Sequence, residues 1–579
     1  MNIISAMRSR IVPEKTEVAR ALGAFSPLEK LGFMIAVAVG AFAALALLYR
    51  VSAHFMVPVP AKGGTLEEGV IGTPRFVNPL LAASDADRDI SALVYAGLMK
   101  KDEGGDLVPD LAESYEVSAD GLTYTFTLKE AAFHDGTPVT ADDVIFTVKS
   151  AQDAALKSKE RVSWEGVVAR AADERTVVFT LRQPFAPFLE NTTLGILPKH
   201  VWESVRYDSW IYDRHNTDKA IGAGPYTITA VSSSGSGVPE HYTLSAHRQK
   251  GSDEPLIDTV RVHFYANQES LIAAYKSGKI DALGGIDPEN AEKLAASGAD
   301  IRTAPLPRVF GIFLNQTQAP IFAEASVRTA IDMAVDKDAI VETVLHGYGT
   351  VAAGPIPQGS KLAPLRAAST LRNLDKAKST LEKAGWKLGE DGIYAKTVSK
   401  KKQRLSFEIA TNDTPELKAA VDLIAAQLRE AGIEATPKVY ETGSLNQTVI
   451  RPRKFQALFF GEVVSNQSDI YAFWHSSQRL DPGLNISGYA NSKADTLLAQ
   501  GLATLDQTKR ESAYAAFQKE IAADMPAVFV YSPSYIYAVR PGLPGITLGA
   551  VTTASDRWNG IRSWHLATDK VWKLFANNH

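Results

Sequence analysis

The chain has 579 residues, no cysteine and a formal net charge of −4 at pH 7. Its length exceeds the roughly 100–200 residues of a single domain, and its 45% hydrophobic and 22% charged residues exclude a mostly disordered chain and a polytopic membrane protein. The lack of cysteine excludes disulfides, thiolate metal sites, cysteine nucleophiles and a lipidated N-terminal cysteine, and because there is no basic excess we expect no nucleic-acid partner.

An uncharged run near the N-terminus predicts a membrane-spanning helix. Residues 31–49 carry no charge, and as a helix they span about 28 Å of a hydrocarbon core that is about 30 Å thick. Basic residues before the run favour a cytoplasmic location for residues 1–30. These basic residues are Arg8, Arg10, Lys15, Arg20 and Lys30. The sequence therefore predicts a single-pass protein of the cell membrane, with its ectodomain on the periplasmic or extracellular face.

A cleaved signal peptide is the alternative interpretation of this N-terminal segment. Val51, Ser52 and Ala53 are small enough to form a cleavage site. However, the uncharged run is longer than the roughly 7–15 apolar residues of a signal peptide. We therefore favour an uncleaved anchor over residues 31–49, with an ectodomain that starts near Gly63.

The rest of the chain alternates predicted strands with predicted helices. Period-two alternation predicts strands, and a Ser or Thr before an apolar repeat of helical spacing predicts a helix start. The predicted strands are residues 123–128, 176–181 and 259–265. The predicted helix starts are Ser84, Thr140 with Asp143 in a capping box, Thr414 with Pro415, and Thr508 with Glu511. This mixture predicts α/β lobes that are built on open sheets.

The sequence contains no recognisable catalytic or metal-binding motif. HExxH, GxSxG, GxGxxG and the phosphate-loop lysine motif are all absent from it. Asp85, Asp87 and Asp89 resemble the start of a calcium loop, but Ile90 replaces the required glycine and Ala96 replaces the required acid. We interpret the three aspartates as acids in the first turn of a helix. We expect no enzymatic activity, no metal and no cofactor.

Six segments of the chain carry short motifs that are informative when taken together. The longest, residues 107–147, contains LVPDLAESYEVSADGLTYTFTL and FHDGTPVTADDV. The others are residues 78–80 with 94–98 (NPL and VYAGL), 222–226 (GAGPY), 271–283 (LIAAYKSGKIDAL), 310–347 (from FGIFLN to VLHG) and 485–495 (NISGYANSKAD). Together they resemble the family 5 extracellular solute-binding proteins, which are the peptide-binding subunits of ABC importers. The resemblance covers about residues 64–545.

The resemblance implies an α/β, two-lobed fold of the periplasmic-binding-protein type, with a hinge and an extra subdomain, after the one N-terminal transmembrane helix. Lobe I would comprise residues 64–305, with the subdomain inserted at about residues 85–195. Lobe II would comprise residues 306–528, and residues 529–579 would return to lobe I. A ligand would lie between the lobes, and lobe closure would present it to ABC permease and ATPase subunits.

Family peptide binders often carry an aspartate in a GW..D..DP segment that pairs with the peptide ammonium. The corresponding stretch here is residues 461–474, GEVVSNQSDIYAFW. Glu462 replaces the tryptophan, and the expected acid falls on Ser465 or Asn466. A carboxylate must face the ammonium, so Glu462 and Asp469 are the candidate charged residues. The alternative is that Glu462 is a solvated loop acid.

Aromatic and amide side chains complete the predicted ligand-binding set. A pocket that tolerates different peptides needs flat apolar walls and a few polar groups, and an asparagine amide both donates and accepts hydrogen bonds. The residues added to the set are Phe310, Phe473, Trp474, Asn485 and Tyr489. The alternative interpretation is that Phe473 and Trp474 belong to the core and that Asn485 caps a loop.

The predicted function is the capture of peptides, or similar small solutes, by a membrane-anchored protein that delivers them to an ABC transporter. Three alternatives stay open: a sensory or chaperone-like binder, a binder of a metal chelate, haem, sugar or opine, and an extracytoplasmic hydrolase. A hydrolase would need an acid pair, and none stands out. Near the C-terminus, Trp558, Trp564 and Trp572 are expected to pack against a lobe, with contact to membrane or permease as the alternative.

Overall fold

The computed structural model describes residues 23–248, 254–357, 360, 371–543 and 545–573. The chain divides into two compact units. The first combines the chain up to Ala61 with the C-terminal segment from Ala567, and the second extends from Lys62 to Leu566. The predicted anchor and the predicted ligand-binding residues therefore belong to different units.

The second unit contains strands and helices along its whole length. The strands are β1 (Met56–Ala61), β2 (Thr65–Ile71), β3 (Met99–Lys101), β4 (Leu107–Pro109), β5 (Ala112–Val117), β6 (Thr123–Leu128), β7 (Val168–Asp173), β8 (Thr176–Thr180), β9 (Tyr226–Ser233), β10 (Pro239–Ala246), β11 (Thr259–Tyr265), β12 (Ala282–Gly284), β13 (Asp300–Pro305), β14 (Arg308–Leu314), β15 (Gly349–Val351), β16 (Lys387–Leu388), β17 (Tyr394–Val398), β18 (Lys401–Arg404), β19 (Ser406–Asn412), β20 (Glu434–Tyr440), β21 (Ala457–Val463), β22 (Ala527–Val539) and β23 (Ala567–Trp572). The α-helices are α1 (Pro27–Phe55), α2 (Asp85–Val94), α3 (Ala141–Gln152), α4 (Arg161–Trp164), α5 (Phe188–Asn191), α6 (Lys199–Trp202), α7 (Gln268–Lys276), α8 (Pro288–Ala296), α9 (Ala325–Ala334), α10 (Lys337–Val344), α11 (Leu374–Lys383), α12 (Pro415–Glu430), α13 (Thr442–Ser444), α14 (Gln467–Trp474), α15 (Ser492–Ala503) and α16 (Gln507–Asp524).

The first unit consists of a long apolar helix and a two-stranded ribbon. Helix α1 is capped by Ser26, whose hydroxyl accepts a hydrogen bond from the backbone N–H of Glu29 at 3.4 Å. The stretch Pro27–Ser52 has a mean hydropathy of 2.5 and is long enough to cross a membrane, as a signal sequence would also be. Strand β1 follows directly and pairs antiparallel with β23, with Met56 opposite Trp572. The predicted N-terminal apolar helix is confirmed.

One long strand joins the two halves of the central sheet in the second unit. This twelve-stranded sheet has the order β20-β19-β21-β14-β22-β12-β2-β11-β10-β9, and β13 and β15 also pair with β22. The first residues of β22, up to Tyr531, pair with β14, and those from Ser534 onward pair with β13. We call the half with β2 and β9–β13 the first lobe and the half with β14, β15 and β19–β21 the second lobe. The predicted two-lobed α/β fold is confirmed.

Each lobe has its own hydrophobic core. In the second lobe, alternate residues of each strand point to opposite faces of the sheet, as the strand period of two requires. Ile312 and Phe459 pack on one face, and Phe313 and Leu458 pack on the other. Strand β22 contributes to the cores of both lobes. Tyr531 belongs to a core of the second lobe, and Tyr535 and Tyr537 belong to the main core of the first.

A small subdomain projects from the first lobe. It contains the antiparallel sheet β5-β6-β8-β7 and helix α3, and its core is rich in aromatic rings. Phe179, for example, lies 5.6 Å from Trp164 and 5.5 Å from Phe188, measured between ring centroids. The subdomain touches the second lobe directly, since the backbone N–H of Ala186 donates to the carbonyl of Leu502 at 2.9 Å.

Local sequence signals predict several element boundaries. Strands β6 and β11 match the predicted ranges, and β8 ends one residue early, at Thr180. The helices predicted from Ser84, Thr140 and Thr414 begin immediately after those residues. The predicted cap at Thr508 is wrong: α16 begins at Gln507, because the Asp506 carboxylate already accepts a hydrogen bond from the Lys509 N–H at 3.1 Å.

The interpretation of all three early aspartates as first-turn acids is wrong for one of them. Asp85 and Asp87 lie in the first turn of α2, and Asp87 accepts the backbone N–H of Ser84 at 2.9 Å. Asp89 lies one turn further on and is buried. There it accepts hydrogen bonds of 2.6 and 3.0 Å from Arg557. Asp89 is therefore a buried partner of Arg557 and does not cap the helix.

The C-terminal tryptophans divide between the two units. Trp558 and Trp564 are buried in the main core of the first lobe, as expected. Trp572 belongs to β23 of the first unit and is 45% exposed. Its ring stacks on Phe55, at the end of the apolar helix, with 6.4 Å between centroids. The packing prediction is therefore confirmed for two of the three tryptophans and wrong for Trp572.

Candidate functional site

The two lobes meet at the middle of β22. In the first lobe, β12 runs antiparallel to β22 with Gly284 opposite Tyr537, so the carboxyl end of β12 points to the middle of that strand. In the second lobe, β19, β20 and β21 are parallel, and Val463 at the end of β21 pairs with Arg308. Strand ends from both lobes therefore converge beside residues 532–534. In open α/β sheets, ligands bind at this edge.

The second lobe contributes a cavity of about 300 Å³ to this edge. Its lining residues come from the ends of β14, β19 and β21 and from the start of α12. They are Arg308, Phe310, Asn412, Thr414, Glu416, Leu417, Phe460, Gly461 and Val463. The volume is at the lower end of the range for small-molecule sites.

Phe310 forms one aromatic wall of the cavity. Its ring stacks on Tyr531 with 4.9 Å between centroids and an interplanar angle of 25°. It also lies over Gly461, where an added Cβ would be only 2.6 Å from the Phe310 ring. A side chain at position 461 would displace the ring. Of the predicted ligand-binding residues, Phe310 is the one that lines this cavity.

Glu416 is the carboxylate of the cavity, and the sequence analysis missed it. The buried hydroxyl of Tyr531 donates to its Oε1 at 2.9 Å. Burial raises the pKa of Glu416, and the Tyr531 hydrogen bond and the charge of Arg308 offset part of this increase. Asp287 of the first lobe raises the pKa further. Glu416 directly follows the predicted Thr414-Pro415 helix start, and the strand-end rule applied to β19 would have identified it.

Glu462 lies on the opposite face of the sheet. It pairs with Val309 across β14 and β21 and is 4% exposed, so the alternative of a solvated loop acid is wrong. Burial raises the pKa of Glu462 well above its usual range, and the neighbouring Trp474 indole offsets only part of this increase. Within the described part of the chain, Oε1 of Glu462 and Nε1 of Trp474 make no hydrogen bond. Among the described residues, no cation contributes to the pKa of Glu462, so its charge has no ion-pair partner there.

Asp469 caps the helix that covers this face. Its Oδ2 accepts hydrogen bonds from the backbone N–H groups of Ser465 and Asn466, at 2.8 and 3.0 Å. Burial raises the pKa of Asp469, and these backbone hydrogen bonds offset part of the increase. The charge of Asp469 in turn raises the pKa of Glu190, a residue of the subdomain. Asp469 therefore lies close to the boundary between the subdomain and the second lobe.

The other predicted residues gather behind this helix. Trp474 is fully buried, with 5.8 Å between its ring and that of Phe529 and 6.3 Å to that of Tyr489. Phe473 is half-buried and packs against the same core. Asn485 is buried and donates to the carbonyl of Tyr489 at 3.0 Å.

Phe473, Trp474 and Tyr489 therefore pack in the core, and Asn485 stabilises a loop by hydrogen bonding. Tyr489 is also held by a hydrogen bond of 2.7 Å from its hydroxyl to Asp524. The structure brings Glu462, Trp474, Asn485 and Tyr489 into one neighbourhood and places Phe310 on the other face of the sheet. Their roles in ligand binding stay predictions.

No metal centre is found in the described ranges, where no three or more His, Asp or Glu residues are grouped so that they could hold an ion. The charge of Asp287 acts on Glu416 across the lobe boundary, but two acids alone do not make such a group. The residues present there are suited to hydrogen bonds, charge pairing and aromatic contact with a ligand.

A family model and a related protein both match most of this chain. Residues 106–481 match the model of the bacterial extracellular solute-binding proteins, family 5. The oligopeptide-binding protein AppA of Bacillus subtilis is 30% identical over 520 residues, which is 88% of this chain and 92% of that protein.

Solved structures agree with this relationship. The structure of AppA from Bacillus subtilis in complex with a nonapeptide matches with a TM-score of 0.64 and 29% identity, covering 88% of this chain and all of the other. The structure of NikZ from Campylobacter jejuni in complex with Ni(L-His) matches with a TM-score of 0.66 and 25% identity, covering 86% of this chain and 99% of the other.

Proposed function

The chain belongs to family 5 of the bacterial extracellular solute-binding proteins, and on this premise we propose that it captures peptides between its lobes for an ABC importer. The observation that carries the proposal is the meeting of strand ends from both lobes at the middle of β22. The similarity to an oligopeptide-binding protein and to its nonapeptide complex supports a peptide as the ligand. A permease and an ATPase are the partners that this role requires.

The proposed lobe boundaries follow the predicted ones. Residues 64–305 form lobe I, with the subdomain at about residues 85–195, and residues 306–528 form lobe II. Of the predicted return segment 529–579, we assign residues 529–566 to lobe I, because the segment from Ala567 belongs to the first unit. The change of core partners along β22 between Tyr531 and Tyr535 supports a crossing close to the second boundary. The chain crosses between the lobes at residues 305–306 and 528–529, and these two crossings form the hinge.

The proposed ligand-binding residues fall into two groups. Phe310, Asp469 and Phe473 are partly exposed, so they can touch a ligand without rearrangement. Glu462, Trp474, Asn485 and Tyr489 are buried. Direct ligand contact by Glu462 or Trp474 requires helix α14 to move away from the sheet. The lack of an ion-pair partner for Glu462 among the described residues supports such a role, because a ligand ammonium would supply one.

We also propose that the apolar helix over residues 31–49 stays as the membrane anchor. Helix α1 is longer than the membrane requires, and it leads without a break into the paired strand β1. The candidate cleavage residues Val51 and Ser52 lie inside the helix. In this arrangement residues 1–30 are cytoplasmic and the second unit is outside the cytoplasm.

Ligand identification tests the proposal. The full chain is purified in detergent from its native membrane and denatured, and the released small molecules are identified by mass spectrometry. We expect peptides, with no peptide hydrolysis by the purified protein, because a binding protein performs no turnover. Recovery of a metal chelate or a sugar in place of peptides would contradict the peptide assignment, and cleavage of an added peptide library would contradict the assignment as a binding protein.

A further inference from the structure

We propose that the cavity beside Glu416 is a subsite for a cationic group of the ligand. Phe310, Tyr531 and Gly461 shape this subsite, which we call the Glu416 subsite. The cationic group is either the α-ammonium of a peptide or a basic side chain. This inference rests on the proposed peptide function and specifies the chemistry of one position in the ligand.

The charge of the Glu416 subsite is the first argument. In the part of the chain that the structure describes, the Glu416 side chain makes one hydrogen bond, with Tyr531, and no ion pair within 4.0 Å. The nearest acid across the lobe boundary, Asp287, has the same sign of charge. Arg308 is exposed and also lies beyond ion-pair distance of Glu416. A half-buried carboxylate without an ion-pair partner nearby is stabilised when the ligand brings a cation next to it.

The position of the carboxylate is the second argument. The Tyr531 hydroxyl, fully buried, holds one carboxylate oxygen at 2.9 Å. The Tyr531 ring is itself fixed between Phe310 and Phe459, at 4.9 and 6.0 Å. Glu416 is therefore presented to the cavity by a residue that cannot easily move. A first-turn acid that served only helix α12 would need no such support from another strand.

The aromatic wall is the third argument. The Phe310 ring lines the same cavity as Glu416. Cations are attracted to aromatic ring faces within about 6 Å, and a nearby carboxylate adds to the attraction. Gly461 keeps the space free, because any side chain there would collide with the Phe310 ring. An aromatic wall and a fixed carboxylate together suit an ammonium or guanidinium group.

Paired peptides that differ by one charge test the Glu416 subsite. Calorimetry on the full chain in detergent compares pentaalanine with N-acetyl-pentaalanine, and N-acetyl-Ala-Ala-Lys-Ala-Ala with its norleucine analogue. We expect the wild type to prefer the charged member of at least one pair by about 10- to 100-fold and Glu416→Gln to lose that preference. If Glu416→Gln loses the preference within the first pair, the α-ammonium is the occupant. If it loses the preference within the second pair, a basic side chain is the occupant.

Asp422→Asn is the matched control, because Asp422 is an exposed acid on the same helix. Both variants are checked for wild-type thermal unfolding. The inference is overturned if the wild type shows no preference in either pair, if Glu416→Gln retains the preference, or if Asp422→Asn loses it as well.

A separate measurement distinguishes failure of this inference from failure of the peptide function. If no peptide binds the wild type, the peptide function is contradicted, and saturation-transfer NMR with n-butylammonium then tests the subsite alone. Binding to the wild type but not to Glu416→Gln would support the cationic subsite. Absence of binding to the wild type would overturn it.

Discussion

The guanidinium of Arg557 holds the carboxylate of Asp89 through two hydrogen bonds, although the two residues are 468 positions apart in the chain. The same guanidinium donates to Glu68 at 2.9 Å, and Tyr537 donates to Glu68 at 2.7 Å. All these side chains are buried. This cluster ties strand β2 and helix α2, at the start of the second unit, to the segment close to its C-terminal end.

We predict that Asp89→Asn destabilises the protein by about 3–5 kcal/mol, because it removes one partner of a buried ion pair and leaves Arg557 undercompensated. Guanidinium-induced unfolding of the full chain in detergent, followed by tryptophan fluorescence, measures the change. Asp85→Asn on the same helix is the control, and because Asp85 is exposed we expect a change within about 0.5 kcal/mol. Equal stability of the two variants would contradict a structural role for the ion pair.

The ion pair also shows where sequence analysis succeeds and where it stops. Strand β6 and the start of α12 after Thr414 were predictable because period-two alternation and helix caps act over a few residues. The Asp89–Arg557 pair was not predictable, because nothing local in the sequence indicates a partner so distant in the chain.

The candidate site shows a similar division. The sequence predicted Glu462 as a charged residue that faces the ligand, but a strand alternates between two faces, and the sequence did not indicate which face is buried. Glu462 points into a core and Phe310 points to the cavity. Glu416 was missed because its neighbours Thr414 and Pro415 already explained the local pattern as a helix start.

The buried Glu462 carboxyl predicts a specific pH dependence of stability. Its pKa in the folded protein is raised above the unfolded value, so the folded state binds the proton more tightly. The free energy of unfolding therefore falls as pH rises from the unfolded pKa, near 4.5, toward the folded pKa. Glu462→Gln removes this loss, and we expect the variant to be more stable than wild type by about 1–3 kcal/mol at pH 8.

Unfolding experiments between pH 4.5 and 8 measure this difference. The advantage of Glu462→Gln should shrink toward the acid end of the range, where the carboxyl of the unfolded wild type also takes up a proton. Glu408→Gln is the control, because Glu408 is exposed on the neighbouring strand β19. A pH-independent difference for Glu462→Gln would contradict a raised pKa.

We predict that the protein remains in the membrane through residues 31–49. After carbonate extraction the full chain should stay in the membrane pellet, whereas a chain that starts at Gly63 should be soluble, because it lacks the apolar helix. N-terminal sequencing of the mature protein gives an independent measurement. A soluble form that begins at His54 would show that the segment is a cleaved signal peptide.

Closure of the lobes can be trapped because the native chain has no cysteine. The backbone N–H of Ala186 donates to the carbonyl of Leu502 at 2.9 Å, so the backbones of the subdomain and the second lobe are in direct contact at these two positions. We predict that the double variant Ala186→Cys, Leu502→Cys forms a disulfide on oxidation and holds the lobes together. Small-angle scattering should then give one radius of gyration, with or without a mixed-sequence nonapeptide.

In the wild type and in the reduced double variant, the nonapeptide should lower the radius of gyration, because ligand binding favours the closed arrangement of a hinged protein. The oxidised variant should also exchange bound peptide more slowly than the reduced one, since the ligand leaves through the opening that the disulfide blocks. Each single cysteine variant controls for the substitutions themselves. A radius of gyration unchanged by peptide in the wild type, with calorimetry showing saturation, would mean that binding requires no hinge movement.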